Sequence, residues 1–252
     1  METSGAVSSS VKGGIAVITF GHPKSNSLPS KLFKRLTDEI NKASDDAKVN
    51  VIILRSEGAS SFCSGASFDE MLKLKDFKQS KEFFMCISGL LNAMYACSKF
   101  IITRVQGKAI SAGVGIIAAS DYVFATNIAH IKLSELSIGI GPFVIGPAIE
   151  RKTGKAAFTA LAIDNDWRDA FWCKNAGLFT KVFASIAELD EETHKLAEHI
   201  AKFSPEAAAE MKKIFREGTE NWNELLEKRA EISAELILSD YAKTYLKNFM
   251  SK

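Results

Sequence analysis

The sequence predicts an α/β protein in which a mainly parallel sheet is followed by a C-terminal helical region. Apolar runs rich in β-branched residues alternate with segments of helical periodicity over residues 14–126, as is typical of parallel strands joined by right-handed crossovers. After residue 148 the pattern becomes helical. The chain has 252 residues, of which 46% are hydrophobic, so it can bury the large core that such a fold needs.

Each element of the sheet region follows from its local pattern. Continuous apolar runs between turn residues predict strands, and apolar residues at three- and four-residue spacing predict helices. The run VNVIILRS at 49–56 indicates a strand that is buried on both faces. Strands are predicted at 14–20, 49–56, 100–105 and 122–126, and helices at 28–47, 81–98 and 113–120.

The C-terminal region is predicted to contain helical segments at 190–204, 205–218 and 221–249. The second begins with Pro205 and ends at Gly218, which suit the first turn and the end of a helix. The apolar residues of the last segment need a partner surface, either the core or another subunit. The predicted organisation is a disordered N-terminus at 1–12, a core at 13–190 and a helical region at 191–252.

Composition argues against several classes of function. The net charge is only +2 and no basic cluster stands out, which argues against nucleic acid as a partner. No stretch approaches 18 consecutive apolar residues, and the N-terminus lacks the pattern of a secretory signal, so we expect a cytoplasmic protein without a membrane span. Four separated cysteines fit free thiols in a reducing compartment. The spacing of His194 and His199 does not suit zinc, and no metal site is expected.

The stretch SSFCSGASFDEM, residues 60–71, is the first that could carry chemistry. A turn through Ser64, Gly65 and Ala66 leads into a short helical piece. Small residues at a helix start leave backbone N–H groups accessible, here those of Ala66 and Ser67. The alternative interpretation is a simple glycine turn.

The second stretch is AISAGVGIIAAS, residues 109–120, in which Ser111, Ala112 and Gly113 would let a ligand approach the start of a helix. Two such sources of N–H groups would form an oxyanion hole for a carbonyl oxygen. A loose dinucleotide-binding pattern also runs from Gly113 through Gly115. The next strand lacks the acid which that pattern requires at its end. A plainly packed helix is a further alternative.

The third stretch, IKLSELSIGIGPF at 131–143, places Glu135 between Leu133 and Leu136 and before two glycines. A carboxyl group in such apolar surroundings is expected to have a raised pKa, which suits a group that both takes and gives a proton. The alternative is a glutamate on a surface loop.

Together these three motifs resemble the enoyl-CoA hydratase/isomerase (crotonase) superfamily, in the same order from about Gly14 to about Phe183. The resemblance implies a crotonase-like ββα spiral core with a C-terminal α-helical trimerisation region, assembled as trimers or as hexamers that are dimers of trimers. It implies an acyl-CoA thioester as substrate, with its oxygen bound by the N–H groups of Ala66 and Ala112. Coenzyme A would be part of this substrate, so no separate cofactor is expected.

The resemblance also implies contacts with coenzyme A. Adenine would lie near Ala66 to Phe68, and Lys24 would meet the phosphates. The expected substrate-binding residues are Lys24, Gly65, Ser67, Phe68, Gly113 and Gly115. The indole rings of Trp167 and Trp172 either shape the acyl pocket or pack in the core, and packing is the favoured interpretation.

The sequence departs from the family pattern where the chemistry is decided. Family hydratases use two glutamates; the later one matches Glu135, whereas the earlier position is Gly115. Ser67 replaces the usual aspartate, and GPFVIGP at 141–147 replaces a glycine-rich run. One glutamate suffices to move a double bond, so the pattern favours a Δ3,Δ2-enoyl-CoA isomerase with Glu135 as sole acid and base. The alternatives are a hydratase or dehydratase, a decarboxylase or thioester hydrolase, and a non-catalytic acyl-CoA-binding protein.

Overall fold

The computed structural model of the protein describes residues 5–250. Its strands are β1 (Ala6–Lys12), β2 (Ile15–Gly21), β3 (Val51–Ser56), β4 (Ser61–Cys63), β5 (Phe100–Val105), β6 (Lys108–Ile110), β7 (Tyr122–Thr126), β8 (Ile131–Lys132) and β9 (Lys181–Phe183). Its helices are α1 (Ser30–Asp45), α2 (Phe68–Met71), α3 (Phe77–Ala96), α4 (Ala112–Ala119), α5 (Glu135–Ile138), α6 (Gly146–Asp164), α7 (Ala170–Asn175), α8 (Ile186–Ile200), α9 (Pro205–Phe215), α10 (Trp222–Leu236) and α11 (Asp240–Met250).

Two sheets organise these elements. The larger has six strands in the order β1-β2-β3-β5-β7-β9, and the smaller has three in the order β4-β6-β8. Every neighbouring pair is parallel except β1 and β2. The predicted alternation of strands and helices in a mainly parallel sheet is therefore confirmed.

The N-terminus differs from the prediction of disorder over residues 1–12. Residues 6–12 form β1, which pairs antiparallel with β2 along its whole length, and residues 1–4 lie outside the described residues. Most of β1 is exposed, with Val7 as its buried side chain. The sequence of this exposed, serine-rich edge strand has no strong apolar pattern from which a strand could be predicted. Its order comes from pairing with β2.

The large sheet is covered on both faces. Ile52 and Leu54 of β3 belong to the main core, which α1, α3 and α10 help to enclose. Val51 and Ile53 point to the opposite face, into a smaller apolar cluster beneath α8. The prediction that this strand is buried on both faces is confirmed, because alternate side chains of a strand point to opposite sides.

Helix α8 crosses the predicted boundary between residues 190 and 191. It begins at Ile186, because the Ser185 side chain accepts a hydrogen bond from the Glu188 N–H group and caps the helix. The sequence Ser-x-x-Glu carries this capping signal. Since α8 packs on β3, β5, β7 and β9, it belongs to the sheet region.

Cys63, Cys86, Cys97 and Cys173 are all free and buried, as predicted. Within residues 5–250, no helix combines the length and the apolar character that crossing a bilayer would require.

Candidate active site

The three parallel strands of the small sheet bring the three candidate motifs together. The turn at Ser64 follows β4, the turn at Ser111 follows β6, and Glu135 comes shortly after β8. Neighbouring strands in a sheet lie about 4.8 Å apart, so segments far apart in sequence end side by side at one edge. Along this edge the turn at Ser64 comes first, the turn at Ser111 lies next to it, and the Glu135 segment follows.

Gly65 allows the first two turns to touch. Its φ is +92°, a conformation that favours glycine. A Cβ atom there would lie 3.2 Å from the carbonyl oxygen of Ile110 and 3.9 Å from the backbone nitrogen of Ala112. The first turn therefore lies directly against the second.

The Ala66 N–H group is left free by its surroundings. The Leu28 N–H donates to the Gly65 oxygen at 2.8 Å, and the Ser67 N–H donates to the Leu28 oxygen at 3.0 Å. This parallel bridge uses the Gly65 oxygen and the Ser67 N–H, which lie on either side of Ala66. The N–H group of Ala66 itself therefore points away from Leu28. The expectation that the Ser67 N–H is also available to a ligand is wrong, because it donates its hydrogen bond to the Leu28 carbonyl oxygen. The Ser67 side chain instead caps α2 by accepting from the Glu70 N–H.

The second turn presents the Ala112 N–H in a strained setting. Ala112 is the first residue of α4, where backbone N–H groups have no partner within the helix. The preceding residue, Ser111, has a φ of +51°, which is unusual for any residue other than glycine. A Cβ atom on Gly113 would lie 2.6 Å from the Cys63 oxygen, so glycine is needed where α4 approaches β4.

Glu135 is a buried carboxyl group whose side chain is held by its neighbours. The residue is 8% exposed, and Oε2 accepts a hydrogen bond from the Ser134 N–H at 2.9 Å. The Ser111 and Ser134 hydroxyl oxygens lie 3.0 Å apart beside it. Burial raises the pKa of Glu135 to about 7, although hydrogen bonds from Ser111 and Ser134 oppose the shift. The group is therefore suited to exchange a proton near neutral pH.

Ala66, Ala112 and Glu135 all line one cavity of about 500 Å³. Four other predicted residues, Lys24, Gly65, Ser67 and Phe68, line the same cavity. Much of the remaining wall is apolar and includes Phe84, Ile87, Ile138, Ile140 and Val144. Two directed N–H groups, one buried carboxyl group and apolar walls can bind a thioester and move its protons.

Gly113 and Gly115 are not part of the cavity wall, contrary to the prediction that they bind substrate. Gly113 packs against Cys63, as described above. A Cβ atom on Gly115 would lie 2.6 Å from Cγ2 and 2.9 Å from Cβ of Ile145. Ile145 lines the cavity, so it fills the space that a side chain at position 115 would need.

The structure adds wall residues that the sequence did not single out. Tyr245 and Phe249 of α11 reach the cavity, and the Phe249 ring contacts the Phe68 ring edge to face at 4.9 Å between centroids. The apolar spacing of the last helical segment is visible in the sequence, but the sequence does not show that this segment covers the cavity. Trp167 also lines the cavity, so the favoured interpretation that it packs in the core is wrong.

The chain is similar to known proteins along most of its length. A sequence model described as "Enoyl-CoA hydratase/isomerase" matches residues 10–251. The chain is 28% identical over 208 residues to 2,3-dehydroadipyl-CoA hydratase of Escherichia coli (strain K12), covering 82% of this chain and 80% of the relative. It is 23% identical over 210 residues to carnitinyl-CoA dehydratase of Proteus mirabilis (strain HI4320), covering 83% and 79%.

The fold is also similar to solved structures. A crystal structure of enoyl-CoA hydratase from Bacillus halodurans superposes with a TM-score of 0.90 over 96% of this chain and 99% of the other, at 19% sequence identity. The predicted crotonase-like core with C-terminal helices is thereby confirmed.

Proposed function

Because the chain belongs to the enoyl-CoA hydratase/isomerase family, whose members act on acyl-CoA thioesters, we propose that it shifts the double bond of an enoyl-CoA from position 3 to position 2. One observation carries the proposal: position 115 is a glycine whose side-chain space is filled by Ile145, and Glu135 is the one carboxylate of the cavity wall, among the described residues, that is not in an ion pair. Of the two carboxylates that line the cavity in the described part of the chain, Asp69 is paired with Lys24. Glu135 remains for proton transfer.

In the proposed reaction the thioester oxygen accepts hydrogen bonds from the N–H groups of Ala66 and Ala112. Glu135 removes a proton from C2, and the electrons of the C2–H bond delocalise into the thioester carbonyl, which gives a dienolate that still contains the C3–C4 double bond. When C4 is later protonated, the electrons of the C3–C4 double bond form the new C4–H bond and the enolate electrons form the C2–C3 double bond. The charge that spreads to the oxygen is stabilised by the two N–H groups. Glu135 then returns the proton to C4, so the enzyme ends in its starting state.

Hydration is the second candidate, supported by the names of the relatives, which include hydratases and a dehydratase. Adding water across a double bond requires activation of the water and delivery of a proton to carbon. Glu135 would have to share these tasks with a bound water. The site also fits a third alternative, a protein that binds acyl-CoA without turnover.

Purified protein incubated with 3-hexenoyl-CoA and, separately, with crotonyl-CoA distinguishes these candidates. The proposal predicts formation of the conjugated 2-enoyl thioester and little hydration of crotonyl-CoA. The isomerisation rate should fall as pH decreases through about 7, because protonation of Glu135 removes the base. Rapid hydration would favour the second candidate, and no turnover of either substrate would favour binding alone.

A gain-of-function variant tests the roles of Gly115 and Ile145. Gly115→Glu alone should destabilise the protein by about 1–3 kcal/mol, because the new side chain collides with Ile145. Gly115→Glu combined with Ile145→Ala makes room for a second carboxylate and should increase crotonyl-CoA hydration relative to Ile145→Ala alone. Equal hydration by these two variants, both folded by circular dichroism, would contradict the explanation.

Assembly and location are part of the same proposal. Apolar side chains such as Leu136, Ile163, Phe171 and Tyr241 are exposed on the single chain, which supports burial against further copies in a trimer or a dimer of trimers. Four free cysteines support a reducing, cytoplasmic location.

A further inference from the structure

A short segment extends the small sheet beyond β8. Arg168 pairs antiparallel with Ile131, and each N–H donates to the other's oxygen at 2.9 Å. Trp167, next to Arg168, therefore lies at the outer edge of β8. Across this sheet the order is β4, β6, β8 and then the Trp167 segment.

The cavity wall contains one lysine near each side of the small sheet, Lys24 on the β4 side and Lys132 on the β8 side. On the β4 side, Lys24 is paired with Asp69 and its backbone oxygen accepts from the Ser64 hydroxyl. On the β8 side, Lys132 pairs with Ile110 of β6 through the backbone, and Lys132 and Trp167 both line the cavity. The two lysines of the cavity wall are thus on opposite flanks of the thioester site.

Lys132 lies over the Trp167 ring together with Lys108. Their Nζ atoms are 5.9 Å and 5.2 Å from the ring centroid, within the range of cation–π attraction. Among residues 5–250, neither ammonium group has a carboxylate partner. Two positive charges near one indole ring at the edge of an otherwise largely apolar cavity favour an anionic group of a ligand.

Lys132 does not serve Glu135 as a counter-ion. The shift in the pKa of Glu135 comes from burial and from hydrogen bonds of its own backbone, Ser111 and Ser134. An ammonium group close to the carboxylate would add an opposing electrostatic effect. Among the residues that the structure describes, Lys132 and Glu135 also form no ion pair, so the Lys132 charge is not used to hold the carboxylate.

The path of the acyl chain leads towards this charge. The thioester oxygen would lie between the turns after β4 and β6, and Glu135, which must reach C2, comes after β8. A chain that runs from the thioester past Glu135 continues to the β8 flank, where Trp167 and Lys132 lie. We propose that Lys132, supported by Trp167 and Lys108, binds an ionised acidic group at the far end of the acyl chain, so that the preferred substrates are CoA thioesters of dicarboxylic acids. The inference rests on the proposed function for the direction in which the acyl chain runs.

Binding of non-reacting ligands tests this without turnover. Adipoyl-CoA and hexanoyl-CoA have six-carbon acyl chains that differ by a terminal carboxylate, and both lack the double bond. Calorimetry should show that the protein binds adipoyl-CoA more tightly by about tenfold to a hundredfold, as expected for a hydrogen bond between charged groups. Lys132→Met should remove this preference and leave hexanoyl-CoA binding unchanged, whereas Lys132→Arg should largely retain it.

Two controls separate the acyl carboxylate from the phosphates of coenzyme A. Adipoyl-pantetheine lacks the nucleotide, so Lys132→Met should weaken its binding as much as that of adipoyl-CoA. Lys24→Met, on the opposite flank, should weaken adipoyl-CoA and hexanoyl-CoA equally and leave their ratio unchanged.

The proposal is overturned if Lys132→Met weakens the binding of adipoyl-CoA and hexanoyl-CoA equally and leaves the binding of adipoyl-pantetheine unchanged, since Lys132 would then bind a phosphate. It is also overturned if wild-type protein binds the two acyl-CoA ligands equally. Because these are binding measurements, absence of isomerase activity would reject the proposed function without deciding this outcome.

Discussion

Glu135→Gln is expected to lower kcat for the isomerisation of 3-hexenoyl-CoA by about 10²–10⁴-fold, the range for loss of general acid–base catalysis. Glutamine has nearly the same size, and its side-chain oxygen can still accept from the Ser134 N–H. It cannot take a proton at any relevant pH. The cavity should therefore keep its shape, and the affinity for hexanoyl-CoA should stay within a few-fold of wild type.

Glu150→Gln is the matched control, because Glu150 is an exposed carboxylate on α6, outside the cavity wall. It should retain the wild-type rate. If Glu135→Gln also retained its rate while folded, another group would have to move the proton, and the single-glutamate mechanism would be rejected.

Removal of the Ala112 N–H is expected to lower the isomerisation rate by about 10²–10³-fold, as for loss of one donor from an oxyanion hole. Ala112→Pro deletes this N–H at the first position of α4, where proline is well tolerated. Proline also restricts the residue before it, and Ser111 already has a φ of +51°. An ester in place of the Ala112 amide is therefore the second variant, because it removes the hydrogen with little change to the backbone.

Ala112→Gly keeps the N–H and provides the control, with a rate expected within a few-fold of wild type. Stopped-flow rates and thermal unfolding of all variants would be compared. A folded ester variant with an unchanged rate would show that this amide does not stabilise the transition state.

The predicted elements differ in how strongly their own residues specify them. Helix α1 has Leu32, Phe33, Leu36 and Ile40 on its buried side, and this periodicity is readable without a structure. By contrast, β1 has little pattern of its own and depends on pairing with β2. Local periodicity is therefore enough to predict α1, whereas the strand β1 is specified by its pairing with β2.

The residues of the candidate site also differ in whether local sequence or distant packing specifies them. Glycine at position 65, small residues at 111–113 and a carboxyl group among apolar neighbours are local features, and they indicate two turns as sources of N–H groups and Glu135 as a titrating group. The choice of Ala66 and Ala112 as the two donors follows from the family resemblance. The expectation that Gly113 and Gly115 contact substrate came from the family resemblance. The structure instead places Cys63 and Ile145 where their side chains would be.

The sequence by itself determined the alternation of strands and helices, the two turns with small residues and the position of a glutamate among apolar neighbours, because each depends on neighbours a few positions away. Only the tertiary structure decided that Ile145 fills the space beside Gly115, that Phe249 meets Phe68 and that Lys132 lies over Trp167. These contacts join residues far apart along the chain. Side-chain packing in three dimensions selects them, and no local pattern in the sequence encodes which distant surfaces will meet.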